Sequence, residues 1–240
     1  MGSGLCQLLP PRLVEYKFYK NFPASSRQIV RRAMAYISGK FPGCIRFDEA
    51  TSSTVDYVLF RDELKCSSEL GKTGGEQVIA LNRYKTSRRI VCTVTILMCY
   101  RNCLNDGLMT ATHEMLHTLG FVHEHMRPDR DNFIAIHKEN IEPGMEKNFE
   151  QRNFGQADFF NKGDVDHMNS PYDVSSLLHY GPQEFSKNGE DVLSFLHGHP
   201  DQTWPEPSPQ DPLSLVDEVS NLSAILSVNA NSSKLHHVSQ

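Results

Sequence analysis

The sequence predicts an α+β fold, with strands and one helix filling the first third of the chain and a second helix carrying the chemistry. Three observations predict it. Short β-rich runs stand at 13–19, 44–47, 56–60 and 76–81. Two stretches, 25–39 and 108–119, repeat apolar residues at the helical period. Beyond residue 120 the chain passes into polar segments with one further, weak helix.

Residues 1–12 are irregular and contain proline. In 13–19, Val14, Tyr16 and Phe18 share one face, as strand alternation requires. Ser25 or Ser26 is placed to cap a helix running to about Gly39. Ile29, Ala33, Tyr36 and Ile37 form one face of it, with Val30 and Met34 alongside, which makes it a core helix. Cys44-Ile45-Arg46-Phe47 and Asp56-Tyr57-Val58-Leu59-Phe60 are two further strands. Gly71, Gly74 and Gly75 mark a loop, and no Gly-Lys-Ser/Thr follows to make it a phosphate cradle. A β-rich run at 90–100 is a hairpin arm or an inserted buried segment. The strongest helix is 108–119, with Met109, Thr112, Leu116 and Leu119 as its inward stripe and Gly120 where a helix stop belongs. Phe154, Phe159 and Phe160 form a small aromatic cluster, a polar Pro-rich stretch covers 198–208, and a weak helix spans 213–226.

The chain's 240 residues suit one globular domain, or two lobes around one cleft. A formal net charge of −5 gives no electrostatic reason to expect a nucleic-acid partner. No apolar stretch reaches the roughly 18–20 residues that span a bilayer. The N-terminus lacks a basic segment followed by a long apolar one, so no signal peptide is visible. Met1-Gly2 opens like an acylation signal, but Cys6 stands where Ser or Thr is needed. Six cysteines (Cys6, Cys44, Cys66, Cys92, Cys99 and Cys103) are compatible with disulfides, with buried thiols the lesser alternative. Sequons at Asn221 and Asn231 fit an exported protein.

Residues 113–124 read His-Glu-Met-Leu-His-Thr-Leu-Gly-Phe-Val-His-Glu. Residues four apart lie about 40° apart around a helix and one turn along it, so His113 and His117 aim two imidazoles at one point. Glu114 lies beside them, in reach of a metal-bound water without displacing it. Gly120 lets the backbone leave the helix sharply, and the turn returns His123 as a third nitrogen. Three nitrogens with one open position describe a catalytic zinc site, one ion per chain, and not a closed structural site.

This His-Glu-x-x-His-x-x-Gly-x-x-His pattern resembles the metzincins, and Glu124 after the third histidine resembles the astacin choice. His125-Met126-Arg127-Pro128-Asp129-Arg130-Asp131-Asn132 and Glu139-Asn140-Ile141 are similar to the astacin stretches downstream. The run 172–180, ending Leu177-Leu178-His179-Tyr180, is similar to the segment bearing the astacin Met-turn. Cys44-Ile45-Arg46-Phe47, Cys66-Ser67-Ser68, Gly74-Gly75 and Gln77 are further landmarks of that resemblance, which spans about 9–222.

The resemblance implies a metzincin-like, two-lobed catalytic domain over 9–226, with lobes at about 9–123 and 124–226, a mostly parallel twisted sheet, and a disordered tail at 227–240. It implies a secreted, monomeric zinc endopeptidase acting on polypeptides, with His113, His117 and His123 as zinc ligands and Glu114 as general base. Tyr180 matches the tyrosine that ligates zinc at rest and swings out to hydrogen-bond the oxyanion. Glu124 matches the residue that anchors the trimmed N-terminus. Residues 76–81 would form the edge strand that pairs with an extended substrate. Cys66 is expected to pair with Cys103.

The sequence departs from that pattern in four places. Leu178 stands where the Met-turn has methionine, a volume-conserving change expected to cost below about 1.5 kcal/mol. The segment 82–102 is longer than the family's link and carries Cys92 and Cys99. Cys44 lacks the later cysteine it normally joins, leaving Cys6 or Cys92 as substitutes, or a free thiol. No propeptide precedes the domain, which suggests a fragment or a misassigned 5′ end, and the long link an unspliced stretch. The insert and the missing cysteine also motivate an alternative, a non-catalytic secreted zinc-binding relative.

Overall fold

A computed structural model describes residues 12–81, 103–151, 171–196, 204 and 211–214. The expectations for the strand at 90–100, the aromatic cluster at 154–160, the Pro-rich stretch, the weak helix at 213–226, both sequons and the tail lie largely or wholly outside those residues. The chain divides into two compact units, Met1–Phe121 with Ser208–Pro212, and Val122–Pro207 with Leu213–Gln240.

The first unit is built on a five-stranded sheet. Its strands are β1 (Arg12–Phe18), β2 (Ile45–Glu49), β3 (Tyr57–Arg61), β4 (Cys66–Ser68) and β5 (Glu76–Leu81), in the order β2-β1-β3-β5-β4. β1 pairs in parallel with β2 and β3, and β3 with β5. Strands inside a parallel sheet are covered on both faces and read as apolar runs, as Tyr57-Val58-Leu59-Phe60 and Val78-Ile79-Ala80-Leu81 do. β4 alone is antiparallel, with Cys66 opposite Leu81 and Ser68 opposite Ile79.

This order corrects one expectation. β5 is paired on both sides, by β3 and by β4, and so is not the edge. Among the described residues the edge on that side is β4, three residues long and too short to show an alternating pattern in sequence.

Helix α1 (Ala24–Lys40) buries Ser26, Val30, Ala33, Met34 and Ile37. The stripe is thus centred on Val30 and Met34, while Ile29 and Tyr36 are only half-buried. Nor does a serine cap it. Pro23 occupies the N-cap, where its fixed φ of −65° suits the helix entry, and Ser26 is turned inward. Helix α2 (Met109–Leu119) packs on α1, β4 and β5. It buries Ala111, Thr112, Met115, Leu116, Thr118 and Leu119. Arg12, itself largely buried, donates from Nη1 to the Leu119 carbonyl at 3.1 Å, placing a cation at the negative end of α2. Phe60, Ile37, Ile79, Leu81, Met115 and Leu116 are fully buried and form the centre of this unit.

Cys66 and Cys103 are joined, with Cα atoms 5.8 Å apart, as the resemblance implied. Cys44 is also disulfide-bonded, to a cysteine outside the described residues, which closes the free-thiol alternative for it.

Among the described residues the second unit holds a two-stranded antiparallel sheet, β6 (Ile134–Ile136) with β7 (Leu193–Phe195), and short 3₁₀ turns. Ile134, Ile141, Phe149, Val192 and Leu193 are its buried centre, with Tyr172, Tyr180, Phe185, Phe195 and Trp204 packed around them. A segregated sheet-and-helix unit and an irregular aromatic unit bear out the α+β expectation.

Candidate metal centre

The centre lies on one unbroken run of chain, the last two turns of α2 and the bend after it. Gly120 takes φ +107°, a left-handed backbone that a residue with a side chain adopts only at a cost. Its N–H and that of Phe121 fold back to the His117 and Leu116 carbonyls. Gly71, from the loop after β4, donates its N–H to the same His117 carbonyl at 2.8 Å. The helix end that carries His117 is therefore held from two directions.

His113, His117 and His123 each offer one ring nitrogen, and these nitrogens lie within 4.8 Å of one another. The Nε2 atoms of His113 and His117 are 3.0 Å apart, with their rings at 87°. A tetrahedral zinc with nitrogen ligands sets them about 3.3 Å apart; the His113–His117 pair is near that spacing, and the nitrogen of His123 lies within 4.8 Å of both, so the three imidazoles suit that ion's preferred donors. His117 has its other nitrogen committed: Nδ1 is 2.6 Å from the Phe121 carbonyl. A carbonyl can only accept, so Nδ1 carries the proton and Nε2 keeps its lone pair for a metal.

Glu114 follows His113 on α2 and is 5% exposed. Burial pushes its carboxyl up to about 7, against a weaker downward pull from the neighbouring Ser68 hydroxyl of β4. A carboxyl at that value takes and releases a proton near neutral pH.

Tyr180 sits beside His123, with ring centroids 4.6 Å apart. Its ring stacks on His125 at 4.0 Å and 28°, with Phe149 and Phe185 at 5.8 and 5.6 Å. His125 is fully buried, its Nε2 donates to the Asn148 carbonyl at 2.8 Å, and burial drives its pKa down to about 3. His179, the residue before Tyr180, has a 2.7 Å bond from each nitrogen: Nε2 to the Tyr172 hydroxyl and Nδ1 to the Tyr180 carbonyl. Burial lowers its pKa to about 4, so the ring is neutral. Burial and the charge of Glu124 push the Tyr172 phenol up, so it keeps its proton.

Glu124 accepts from Arg127 Nη1 at 2.9 Å and from the Asp173 N–H at 3.0 Å, and its own N–H is bonded to the Leu178 carbonyl. Arg127 also grips Asp129 through Nε and Nη2, at 2.9 and 2.8 Å. Leu178 is 4% exposed.

The structure thus gathers His113, His117 and His123, buries Glu114 on the same helix, and sets Tyr180 beside His123. Sequence reasoning missed Ser68 beside Glu114, the His125 platform under Tyr180, and the Tyr172–His179 pair. The first lies on a strand too short to recognise. The others are contacts between aromatic rings in irregular chain, which periodicity does not report.

The family model of the astacins, a peptidase family, matches residues 6–95 and 92–198. Zinc metalloproteinase nas-14 of Caenorhabditis elegans is 31% identical over 189 residues, covering 78% of this chain and 32% of that protein. High choriolytic enzyme 1 of Oryzias latipes is 31% identical over 201 residues, covering 84% of this chain and 59% of that protein. The chain therefore spans between about a third and three fifths of the curated relatives it matches. The solved structure of high choriolytic enzyme 1, described as a hatching enzyme zinc-protease, superposes with a TM-score of 0.67 at 28% identity, covering 90% of each chain. With a family model covering most of its length and the three-histidine centre in place, the chain belongs to the astacin family.

Proposed function

We propose that this chain is a zinc-dependent endopeptidase that hydrolyses internal peptide bonds of polypeptide substrates. The observation that carries the reading is the convergence of nitrogens from His113 and His117 on α2 and from His123 beyond its end, with Glu114 buried on the same helix. His113, His117 and His123 hold one zinc per chain. Zinc bound there would supply Lewis acidity, lowering the pKa of water toward about 7 and polarising a carbonyl.

Glu114 Oε accepts the proton of the attacking water and passes it to the departing amine. In the metal-free protein burial raises its proton affinity, which opposes the lowering that a bound dication would bring. The Tyr180 phenol, next to His123, donates a hydrogen bond to the scissile oxygen as negative charge develops there. The free side of β4 binds the substrate backbone as an added strand, with Ser68 joining that strand to the Glu114 environment. We further propose that the chain works as a secreted monomer. Among the described residues no helix is long and apolar enough to cross a membrane.

The test is digestion of a quenched-peptide library by the purified chain with and without a chelator. Chelation should abolish cleavage, and added zinc should restore it. Glu114→Gln should lose at least about 10²-fold in kcat while keeping the metal. His117→Ala should lose the metal itself. Cleavage unchanged in chelator, or unchanged in Glu114→Gln, would overturn the assignment.

A further inference from the structure

The residue preceding Tyr180 is His179, whose imidazole makes an unusual pair of bonds. The carbonyl of Tyr180 can only accept, so the 2.7 Å contact from His179 Nδ1 is an N–H donation. Nε2 is then the acceptor of the Tyr172 hydroxyl, also at 2.7 Å. Both ring nitrogens are spent locally, which leaves none to bind a metal or a substrate.

The outer member of the chain is itself fixed. The Tyr172 ring stacks on Phe133 at 4.6 Å and 7°, and the Arg127 guanidinium lies over it at 5.3 Å. Trp204 covers His179 at 5.2 Å. Rotation of the imidazole would break two hydrogen bonds inside an apolar shell, where each lost bond costs the desolvation of its partners. Beyond the carbonyl, the Tyr180 side chain has only its own torsions left. Its ring leans on His125 at 4.0 Å, with His123 at 4.6 Å.

We propose that Tyr172 and His179 are positioning residues for the reaction: the phenol locks the imidazole, the imidazole holds the Tyr180 carbonyl, and the Tyr180 hydroxyl is thereby aimed at the reacting carbonyl oxygen. This rests on the reading of Tyr180 as a hydrogen-bond donor in catalysis. Tyr172→Phe removes the outer bond alone, since a phenyl ring keeps the stack on Phe133 and the contact with Arg127. His179→Asn keeps an N–H where Nδ1 stands, whereas His179→Leu keeps none.

The experiment is a double-mutant cycle on kcat with a quenched peptide, using the zinc-loaded chain. Tyr172→Phe and His179→Leu should each lower kcat about 10-fold with KM within about twofold, and His179→Asn should recover most of the loss. In a Tyr180→Phe background, Tyr172→Phe should lower kcat no further. A second readout needs no metal: ring-¹⁵N NMR of the metal-free protein should show an exchange-protected His179 Nδ1–H, with protection lost in Tyr172→Phe. If the two substitutions multiply in kcat, or if the Nδ1–H is equally protected in both proteins, Tyr172 does not act through Tyr180. If Tyr180→Phe alone leaves kcat unchanged, Tyr180 is not a donor in the reaction, and that failure is distinct from a lack of coupling.

Discussion

Replacing Glu114 by glutamine should make the metal-free protein more stable at alkaline pH while removing the proton acceptor of the proposed reaction. The carboxyl's pKa rises from an ordinary value near 4.5 to about 7, chiefly through burial. That displacement corresponds to about 3 kcal/mol of preference for the neutral form. The sign follows from proton binding. Between pH 4.5 and 7 the folded state holds more protons than the unfolded one, so this group makes stability fall as pH rises. The penalty is absent below about pH 4.5 and complete above about 7. His125 and His179 act in the opposite sense. Their pKa values are depressed to about 3 and 4, so their contribution is present above about 6.5 and lost as pH falls. The parent's own pH profile therefore mixes the two. Subtracting parent from variant cancels the histidines and isolates Glu114. Urea unfolding of both metal-free proteins at about pH 4, 6 and 8 should show the variant gaining about 3 kcal/mol on the parent across that range, on the order of 1 M in midpoint. Saturating zinc should shrink the gain, because a dication beside the carboxylate favours its charged form. Parallel curves across that pH range in the metal-free proteins would refute the argument that burial holds this proton.

Other expectations are simpler to check. Leu178→Met, which restores the residue usual in the Met-turn, should change unfolding free energy by less than about 1.5 kcal/mol and leave zinc stoichiometry unaltered, measured by denaturation and metal analysis. Gly120→Ala places a side chain at φ +107° with the nearest foreign atom, Gly71 Cα, at 4.0 Å. The cost is therefore conformational, about 1–2 kcal/mol, and weaker zinc binding should accompany it because the bend delivers His123. Opening the Cys66–Cys103 bridge by double substitution to alanine frees a loop of sequence separation 37 and should cost about 4 kcal/mol in chain entropy, read as a fall in Tm.

Most of the centre was legible in the sequence because it is local. His113, Glu114 and His117 follow from helical geometry, and Gly120 announces the bend that brings His123 round. The strands at 13–19 and 76–81 were legible for the same reason, since alternation and buried apolar runs are properties of contiguous residues. What escaped detection depends on partners far along the chain. The place of β5 inside the sheet depends on β4, whose three residues carry no periodic signal. The inward turn of Ser26 reflects packing against the sheet, which overrode its preference for a helix cap. The Tyr172–His179 contact joins residues seven apart in irregular chain, where spacing sets no geometry.

The short edge strand is fastened at both ends. Cys66 is cross-linked to Cys103, and a few residues on, Gly71 is bonded to the C-terminal end of α2. Ordering three loose residues would consume roughly 1–2 kcal/mol each. Here that loss is met when the protein folds, long before any guest arrives. An extended chain laid along this border, as proposed for the substrate, would surrender only its own freedom and meet a strand already tied to the helix that bears Glu114.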